Sequence, residues 1–465
     1  MPSMRRRDFL KASGLAAAGL ATGRASRAAE AARKRPNIIF LLTDDQRWDT
    51  MGCAGNPIIR TPNMDALAAG GAMFTNAFVT TSICCTSRAS IFTGQYARRH
   101  GKRSFQSRFT EAEWDRTYPG LLGKAGYRLG FVGKYGLVKP PVRRFDFWRG
   151  FVGQGRYELK DDAGEYVHLT RRMGDQAVEF LRGCPKDRPF CLSVSFKAPH
   201  VQDGDPRQFL YDRALKGLYK DATLPVPVTA DPKYYESFPA FFKEANIGRE
   251  RWKVRFSTPA KFQEMVKGYY RLITGVDVAI GRIRAELTRL GLADNTVLLL
   301  MGDNGFYLGE HGLAGKWYGH EESIRVPLVV FDPRLPNERR GKKREEMALN
   351  IDVAPTILSM AGLAVPERMQ GRDLTPLVAG RRVPWRSEFF YDHLCIGGKR
   401  IPRSEGVVTG RWKFLRYIDQ KPPYEELYDR KNDRHETTNL AGQARHRKVL
   451  EDLRKRCTEY RRTLR

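Results

Sequence analysis

Several polar residues follow directly after short apolar segments of the sequence, at positions where they could bind a metal ion. Asp44 and Asp45 follow the first such segment, and Asp303 and Asn304 follow the fourth. All four side chains offer hard oxygen donors, which suit Ca²⁺ or Mg²⁺ better than zinc. Such an ion would neutralise negative charge on a substrate. Taken alone, Asp-Asp and Asp-Asn-Gly sequences are also common in turns and helix caps.

Two nitrogen-bearing side chains follow the other two apolar segments. Lys134 comes after the second segment and His200 after the third. The four strand ends would thus bring three carboxylates, an amide, a lysine and an imidazole to one edge of a sheet. The alternative for a single lysine is an ordinary solvated position.

The four apolar segments have the length and composition of buried strands in a parallel sheet. Helical patterns separate them, and one such pattern has Thr61 as N-cap, Pro62 at its first position and Gly70 as its stop. This alternation predicts an α/β fold with a large, mostly parallel sheet between helices, in which ligands bind at the carboxyl ends of the strands. The segments are residues 38–42, 129–132, 190–196 and 296–301.

The chain is strongly basic. Its 465 residues include 81 Lys plus Arg against 52 Asp plus Glu, a net charge of +29, and 41% of the residues are hydrophobic, which is typical of a globular protein. Because residues 1–35 hold nine basic and two acidic side chains, the rest of the chain retains +22. That charge favours a polyanion: a nucleic acid, an anionic membrane surface or an acidic polysaccharide. Neither zinc-finger spacing nor a basic heptad region occurs, so we expect no nucleic-acid partner.

The N-terminal residues have the pattern of an export signal. Arg6 and Arg7 precede Asp8-Phe9-Leu10-Lys11, and residues 12–23 are rich in Ala and Gly. This order resembles a twin-arginine signal over residues 1–31, with cleavage near Ala28 or Ala31. The alternative is a disordered basic tail. The stretch is too short to span a membrane, and no later segment is long and apolar enough, so we expect a periplasmic or secreted protein that the twin-arginine translocase exports.

The seven cysteines are too few and too scattered for a disulfide framework, and no Cys-x-x-Cys pair occurs. Cys184 and Cys191 are close enough in sequence to form a bridge, although nothing in the predicted fold requires one. The cysteines are Cys53, Cys84, Cys85, Cys184, Cys191, Cys395 and Cys457.

Residues 83–94 resemble the active-site signature of the type I sulfatases, Cys-x-Pro-x-Arg followed by Thr-Gly. The spacing to Arg88 makes Cys84 the signature cysteine, which the family oxidises to formylglycine. The resemblance extends along almost the whole chain and is strongest for glycan-desulfating members such as N-acetylglucosamine-6-sulfatases. The other matching motifs are Asp44-Asp45-Gln46, Gly133-Lys134, Ala198-Pro199-His200, Gly302-Asp303-Asn304-Gly305, Gly309-Glu310-His311-Gly312, Lys316 and Leu427-Tyr428-Asp429.

The resemblance implies a mechanism. A formylglycine aldehyde hydrates to a diol, of which one hydroxyl attacks sulfur and the other later expels sulfate. By resemblance, Arg88 steadies the diol, Lys134 and Lys316 hold the sulfate oxygens, and His200 protonates the leaving alcohol. One Ca²⁺ or Mg²⁺ would take the remaining charge. Cys84 would need a formylglycine-generating enzyme or a sulfatase maturase as a partner.

Two residues depart from the family pattern. Thr86 replaces the proline that helps the modifying enzyme recognise its target, and Gly136 replaces the histidine of Gly-Lys-Trp-His, which would deprotonate the covalent intermediate. Asp303 and His311 are the two candidates for that proton transfer. For His311, a substrate-binding or a structural role is the alternative.

The resemblance also implies an alkaline-phosphatase-like catalytic domain, assigned to residues 32–375, and a C-terminal α+β subdomain with an antiparallel sheet over residues 376–465. The last helix carries a stripe of apolar residues and is predicted to pack on that subdomain; a membrane- or polyanion-binding face is the alternative. Residues 201–262, rich in aromatic and basic side chains, either surround the substrate pocket or simply pack as a long excursion.

The predicted function is hydrolysis of sulfate esters on a glycosaminoglycan or another sulfated polysaccharide. Two alternatives remain open at this stage. A phosphonate or phosphate monoester hydrolase of the same superfamily would use the same cations on a phosphoryl group. A non-catalytic protein with unmodified Cys84 would instead bind acidic glycans through its basic surface.

Overall fold

The computed structural model describes residues 35–395 and 400–464, so the predicted export signal over residues 1–31 lies outside the described residues. The main feature of the described chain is a sheet of eight strands in the spatial order β8-β2-β7-β6-β1-β5-β3-β4. The strands are β1 Asn37–Asp44, β2 Ala72–Phe74, β3 Arg128–Lys134, β4 Phe147–Phe151, β5 Phe190–Pro199, β6 Thr296–Gly302, β7 Leu328–Phe331 and β8 Lys342–Arg344.

Five adjacent strands of this sheet, β6-β1-β5-β3-β4, are parallel. Strand β7 runs antiparallel to both of its neighbours, β6 and β2. The predicted mostly parallel sheet is therefore confirmed, and each of the four predicted segments forms one of its central strands. The strands are longer than predicted because they continue into the polar residues at their carboxyl ends.

The central strands are buried on both faces, which explains their nearly continuous apolar sequences. On β1, Ile38 and Phe40 contribute to one core cluster, whereas Ile39 and Leu41 contribute to the other. Because successive side chains point to opposite faces, the apolar strand interior supplies both cores at once. Burial of each such side chain contributes about 1.5–3 kcal/mol.

Helices cover both faces of the sheet. The longer ones are α1 Pro62–Ala69, α2 Cys84–Thr93, α3 Tyr118–Lys124, α4 Leu169–Arg182, α5 Ile247–Arg255, α6 Pro259–Arg289, α7 Val353–Met360 and α8 Arg447–Thr463. Short helices span Ala97–His100, Glu111–Trp114, Pro232–Glu236, Ala240–Lys243, Glu321–Ile324 and Thr375–Val378. Helices α4 and α6 share one core cluster, and α3 and α7 share the other.

Helix α1 begins and ends where the sequence predicts, but its N-terminus differs in one detail. Thr61 occupies the N-cap position without capping the helix through its side chain. Its hydroxyl instead accepts from the Gly52 amide at 2.9 Å and donates to Asp65 at 3.1 Å. Thr61 therefore ties the preceding loop to the helix.

A second, antiparallel sheet lies towards the C-terminus. Its four strands, in the order β9-β10-β11-β12, are Glu388–His393, Ser404–Thr409, Trp412–Tyr417 and Tyr424–Asp429. Helix α8 buries Leu450, Leu453 and Cys457 against the core that this sheet shares. The predicted C-terminal antiparallel sheet is confirmed, whereas the boundary between residues 375 and 376 stays a prediction. Two-stranded pairs join Ala77–Phe78 to Ala348–Leu349, Glu158–Lys160 to Tyr166–His168, and Tyr307–Leu308 to Ala314–Gly315.

Buried ion pairs connect the second sheet to the first part of the chain. The Lys413 ammonium on β11 is fully buried and lies 3.0 Å from Glu321 and 2.5 Å from Glu436. The Arg430 guanidinium also contacts Glu321, at 3.0 Å. Because burial of a charge is costly unless it is paired, each member of this cluster depends on the others.

All seven cysteines lie within the described chain and are free thiols. Cys184 donates its thiol to the Phe180 carbonyl at 3.3 Å rather than pairing with Cys191. Within residues 35–395 and 400–464, no helix has both the length and the apolar character that crossing a membrane requires.

Replacing Lys413 with methionine should lower the free energy of unfolding by about 3–5 kcal/mol, because it leaves two buried carboxylates without their shared cation. Denaturant unfolding measures the effect. Lys448→Met, at an exposed position of α8, is the matched control and should change stability by no more than about 0.5 kcal/mol. Equal effects of the two substitutions would contradict a structural role for the Lys413 cluster.

Candidate active site

The strand register brings the predicted site residues together at one edge of the main sheet. Strand β1 is parallel to both β5 and β6, with Asp44 opposite Pro199 and Thr43 opposite Gly302. The residues that follow each strand therefore converge. Asp44, Asp45, His200, Asp303 and Asn304 are all buried here.

The oxygen donors of this cluster fit a metal ion. Asp44, Asp45 and His200 each offer a ligand atom, and these atoms lie within 4.8 Å of one another. One carboxylate oxygen of Asp44 and the amide oxygen of Asn304 are buried without a hydrogen-bond partner. Because buried polar atoms are normally satisfied, these two oxygens are suitable ligands for a cation. The donor set is the one that Ca²⁺ or Mg²⁺ prefers, with one nearby imidazole in addition.

Asp45 adopts a backbone conformation that few residues with a side chain adopt, with φ at +68°. Its amide donates to Asp303 at 3.1 Å, and its carbonyl accepts from the Tyr269 hydroxyl at 2.6 Å. These two bonds hold the strained turn, which directs the Asp45 side chain back into the cluster. There Asp45 accepts from the Asn304 amide at 2.6 Å.

Three buried cations surround the carboxylates. Lys134 contacts Asp44 and donates to Gln154 at 2.7 Å, and Lys316 contacts Asp45. Arg88 donates to Asp303 at 2.8 Å and lies 3.6 Å from Asp44. The three predicted cationic residues therefore all lie at the carboxylate cluster.

The charges in the cluster control one another's protonation. Burial raises the pKa of Asp44, but Lys134, His200, Arg88 and Lys316 outweigh it, so its pKa lies below the ordinary value. Burial and the neighbouring Asp44 raise the pKa of Asp303 to about 7. At neutral pH, Asp44 is therefore the firmly ionised carboxylate of the group.

His200 is held in one orientation. One ring nitrogen, Nδ1, lies 2.6 Å from the Val201 carbonyl, which can only accept, so Nδ1 donates. The other nitrogen, Nε2, points towards Asp45 at 3.6 Å. Burial, and then Lys316, lower the pKa of His200 well below its usual value. Nε2 is therefore the ring nitrogen available for a ligand or a proton at this site.

Cys84 is the first residue of helix α2 and is fully buried. Burial raises the pKa of its thiol, while Lys134 and Lys316 act to lower it. Cys85 has different surroundings: its sulfur lies 3.7 Å from the Thr86 hydroxyl, which in turn lies 2.9 Å from the sulfur of Cys395. The cations thus act on the cysteine that the motif spacing selects, and its neighbour faces a cluster of apolar and thiol groups.

Gly136, at the position where the expected motif has histidine, packs so closely against Arg88 that there is no room for a side chain. Gly136 has φ at +89°, and a Cβ atom added there would lie 2.3 Å from Cδ of Arg88. The Arg88 side chain therefore occupies the space next to Gly136 on its way to the Lys134 carbonyl, which accepts from it at 2.6 Å. A side chain at position 136 would displace the central arginine.

His311 lies in an aromatic cluster rather than among the carboxylates. Its ring stacks on His320 at 4.8 Å between centroids and lies near Phe238 and Tyr307. Burial lowers the pKa of His311 to about 4. The structure thus groups it with the packing of the loop, and its role in substrate binding stays a prediction.

Three residues at the site were not identified from the sequence. Ser195 donates to the Lys134 carbonyl at 2.7 Å and contacts Arg88, Gln154 accepts from Lys134, and Lys197 donates to the Gly155 carbonyl at 2.9 Å. Ser195 and Lys197 alternate with apolar residues along β5, and this period-two polar pattern was the available signal. Gln154 lies in a loop and leaves no such pattern.

Two family profiles match the chain. The profile described as "Sulfatase" matches residues 36–363, and the profile described as "N-sulphoglucosamine sulphohydrolase, C-terminal" matches residues 309–463. Together they span nearly all of the described residues.

Individual proteins that are similar to this chain are also sulfatases. An N-acetylglucosamine-6-O-sulfatase of Bacteroides thetaiotaomicron is 29% identical over 90% of this chain and 85% of its own length. An arylsulfatase of Clostridium perfringens is 28% identical over 90% of this chain and 93% of its own length.

Solved structures share the fold. A protein in complex with its substrate D-glucosamine-2-N,6-O-disulfate superposes with a TM-score of 0.78 at 27% identity, over 93% of this chain and 98% of that one. A phosphonate monoester hydrolase from Silicibacter pomeroyi superposes with a TM-score of 0.76 at 21% identity, over 92% and 96%. The second likeness shows the fold alone.

Gly136→Ala should destabilise the protein by about 2 kcal/mol more than Gly153→Ala. Both glycines have positive φ, at +89° and +73°, so both substitutions strain the backbone, but a Cβ at Gly153 meets nothing within 4 Å. Only the first substitution displaces a buried, paired arginine, which adds the cost of overpacking. Denaturant unfolding of the two variants measures the difference, and equal losses would show that Arg88 does not depend on the space beside Gly136.

Proposed function

The chain belongs to the sulfatase family, and we propose that it hydrolyses sulfate esters on a sulfated carbohydrate, a glycosaminoglycan or another polysaccharide. The observation that carries the proposal is the convergence of Cys84, Lys134 and Lys316 with the buried carboxylates. Cations around a buried nucleophile can stabilise a tetrahedral anion as negative charge grows on three of its oxygens. The basic charge of +22 outside residues 1–35 attracts a polyanionic substrate.

Cys84 is the residue that we propose is converted to formylglycine. That group would supply an oxygen nucleophile for sulfur. The position supports the assignment, because Cys84 begins helix α2 and its sulfur lies in the field of two lysines, whereas Cys85 faces Thr86. A formylglycine-generating enzyme or sulfatase maturase would act on the chain during biogenesis.

The side chains around Cys84 have separate tasks. We assign Lys134 and Lys316 to the sulfate oxygens, since their ammonium groups are buried and pair only with the carboxylate cluster and Gln154. Arg88 orients the nucleophile while Asp303, Ser195 and the Lys134 carbonyl fix its guanidinium. His200 would protonate the leaving alcohol through Nε2, its one ring nitrogen without a backbone partner, once a bound anion has raised its pKa enough for Nε2 to hold a proton.

Asp44, Asp45, Asp303 and Asn304 would hold one Ca²⁺, or Mg²⁺ in its place. The support is the donor chemistry and the two unpartnered oxygens of Asp44 and Asn304. A divalent ion would polarise a sulfate oxygen and neutralise part of its charge. Its presence would also relieve the mutual repulsion of the buried carboxylates.

Carbohydrate is the preferred substrate class because it is the substrate named for a relative and for a related solved structure. The Bacteroides relative is an N-acetylglucosamine-6-O-sulfatase, and the related solved structure holds a disulfated glucosamine as its substrate. By analogy, we assign a sulfated sugar to this chain.

We further propose that the protein is exported by the twin-arginine translocase to the periplasm or beyond the cell. The support is the order of residues around Arg6 and Arg7 and the Ala- and Gly-rich stretch that follows.

The proposed function predicts that the purified, mature chain releases sulfate from sulfated sugars faster than phosphonate from matched phosphonate monoesters. Cys84→Ala should abolish turnover, because it removes the precursor of the nucleophile. Cys85→Ala is the matched control and should retain it. Peptide mass across residues 82–88 should show a loss of about 18 Da at Cys84 alone.

Faster phosphonate turnover would favour the phosphonate hydrolase instead. Binding of sulfated glycans without any release of sulfate, together with an intact Cys84 thiol, would favour the non-catalytic binding protein. Activity that survives Cys84→Ala would overturn the assignment of the nucleophile.

The proposed ion predicts that Ca²⁺ stabilises the protein after chelator treatment. At a free concentration 100 times its Kd, the ion should add about 2.7 kcal/mol to the free energy of unfolding. Asn304→Ala should reduce this gain, because it removes one oxygen ligand, whereas Asn337→Ala, at an exposed position, should preserve it. Thermal unfolding in Ca²⁺ and in Mg²⁺ measures both effects, and the absence of any gain would exclude the site.

A further inference from the structure

A group of basic side chains beside the candidate active site shares a single carboxylate. Asp203 accepts from Arg255 at 2.9 Å and from Arg251 at 3.3 Å. Lys197 lies close enough for Asp203 to raise its pKa, although burial and Lys134 lower that pKa to about 8. Two arginines and a lysine thus face one acidic group, so positive charge is in excess.

The group adjoins the reaction centre from several sides. Asp203 follows His200 by three residues, and the Arg251 guanidinium lies 4.9 Å from the ring centroid of Trp317, the residue after Lys316. Arg255 lies 6.0 Å from the ring centroid of Phe306 in the loop after Asn304. Every one of these neighbours is on a segment that also carries a candidate catalytic or metal-binding residue.

Arg255 has an unused donor. Its side chain is only 2% exposed, and it donates to Gln208 at 2.8 Å and to Asp203, but its Nη1 atom has no hydrogen-bond partner. Burial and Arg251 lower its pKa to about 10, while Asp203 and Asp45 act to raise it. A buried guanidinium nitrogen without an acceptor is costly, and an anionic ligand would satisfy it.

The group is also accessible from solvent. The Asp203 side chain is 44% exposed and that of Arg251 is 24% exposed, whereas Arg255 lies behind them. Arg251 and Asp203 are therefore the members of this group that a ligand can reach from solvent. The position suits a part of the substrate other than the reacting sulfate.

We propose that Arg251 and Arg255 form a subsite for a second anionic group of the substrate, a sulfate or a carboxylate on the sugar that carries the scissile ester or on the adjoining sugar. This inference rests on the proposed function, because it adds specificity to that reaction. The second anion would pair with the arginines and with Nη1 of Arg255, and Asp203 would compete with it. The subsite would make the enzyme prefer substrates with two charges over those with one.

Direct binding tests the subsite without relying on turnover. Calorimetric titrations of the full-length Cys84→Ala protein compare N-acetylglucosamine 6-sulfate, which carries one negative charge, with two doubly charged sugars: glucosamine N,6-disulfate, and N-acetylglucosamine 6-sulfate joined to a uronate. We expect at least one doubly charged sugar to bind about 10-fold or more tightly than the monosulfate. Arg251→Gln and Arg255→Gln should each remove about 10- to 100-fold of that affinity and leave the monosulfate within about 3-fold.

Two further variants make the test specific. Arg249→Gln is the control on the same helix, because its guanidinium stacks on Tyr235 and Trp252 instead. This substitution should leave the affinities for the monosulfate and for the doubly charged sugars unchanged. Asp203→Asn removes the competing carboxylate and should strengthen binding of the doubly charged sugar. If Arg255→Gln does not fold, the half-buried Arg251 carries the test alone.

The subsite would be overturned if the unmutated Arg251 and Arg255 gave equal affinity for singly and doubly charged sugars. It would also be overturned if Arg251→Gln weakened the binding of both kinds of sugar by the same factor. Sulfate release by the unmutated enzyme is measured separately on the same sugars and on an aryl sulfate. Absence of release would contradict the proposed function, whereas release without discrimination between the sugars would contradict the subsite alone. Between the two doubly charged sugars, the tighter binder identifies the second anion as sulfate or carboxylate.

Discussion

The buried charges at the carboxyl edge of the main sheet must be balanced, and much of the surrounding structure follows from that requirement. Three carboxylates lie there together with three basic side chains, so the cluster is formally neutral: Asp44, Asp45, Asp303, Arg88, Lys134 and Lys316. Removing any one of them would leave a buried charge without its partner, at a cost of several kcal/mol. A divalent ion would turn the neutral cluster into a positive one, which would favour binding of an anion.

Arg88 is the residue through which the parts of this cluster are joined. Its side chain extends from helix α2 and contacts three other elements. The contacts are Asp303 after β6, Ser195 on β5 and the carbonyl of Lys134 on β3. Such a path needs space, and Gly136 provides it by lacking a side chain. The glycine at position 136 and the position of the arginine are therefore one structural feature, because the arginine fills the space that a side chain at this position would need.

The sequence predicted the central strands and their polar ends well, because an apolar segment followed by hard donors is a local pattern. It did not reveal Ser195 or Gln154, whose importance comes from partners far away in the chain, Arg88 and Lys134. The environment of His311 was equally inaccessible, since its stacking on His320 depends on a loop that folds back on itself. Local patterns predict which residues reach the sheet edge, whereas the pairings among them depend on the register and the loops.

Helix geometry explains why only some of the basic side chains in residues 201–262 lie beside the candidate active site. Arg251 and Arg255 are four residues apart on α5, so they lie on the same face and reach the same carboxylate. Arg249 is two residues from Arg251, which turns it to another face, where aromatic rings and the Gly312 carbonyl hold it. The charges of the carboxylate cluster are paired with one another. On the adjoining helix face, Nη1 of Arg255 has no hydrogen-bond partner within the described residues. The proposed subsite rests on this contrast: the paired cluster would hold the reacting sulfate, and the neighbouring helix face would hold the second anion.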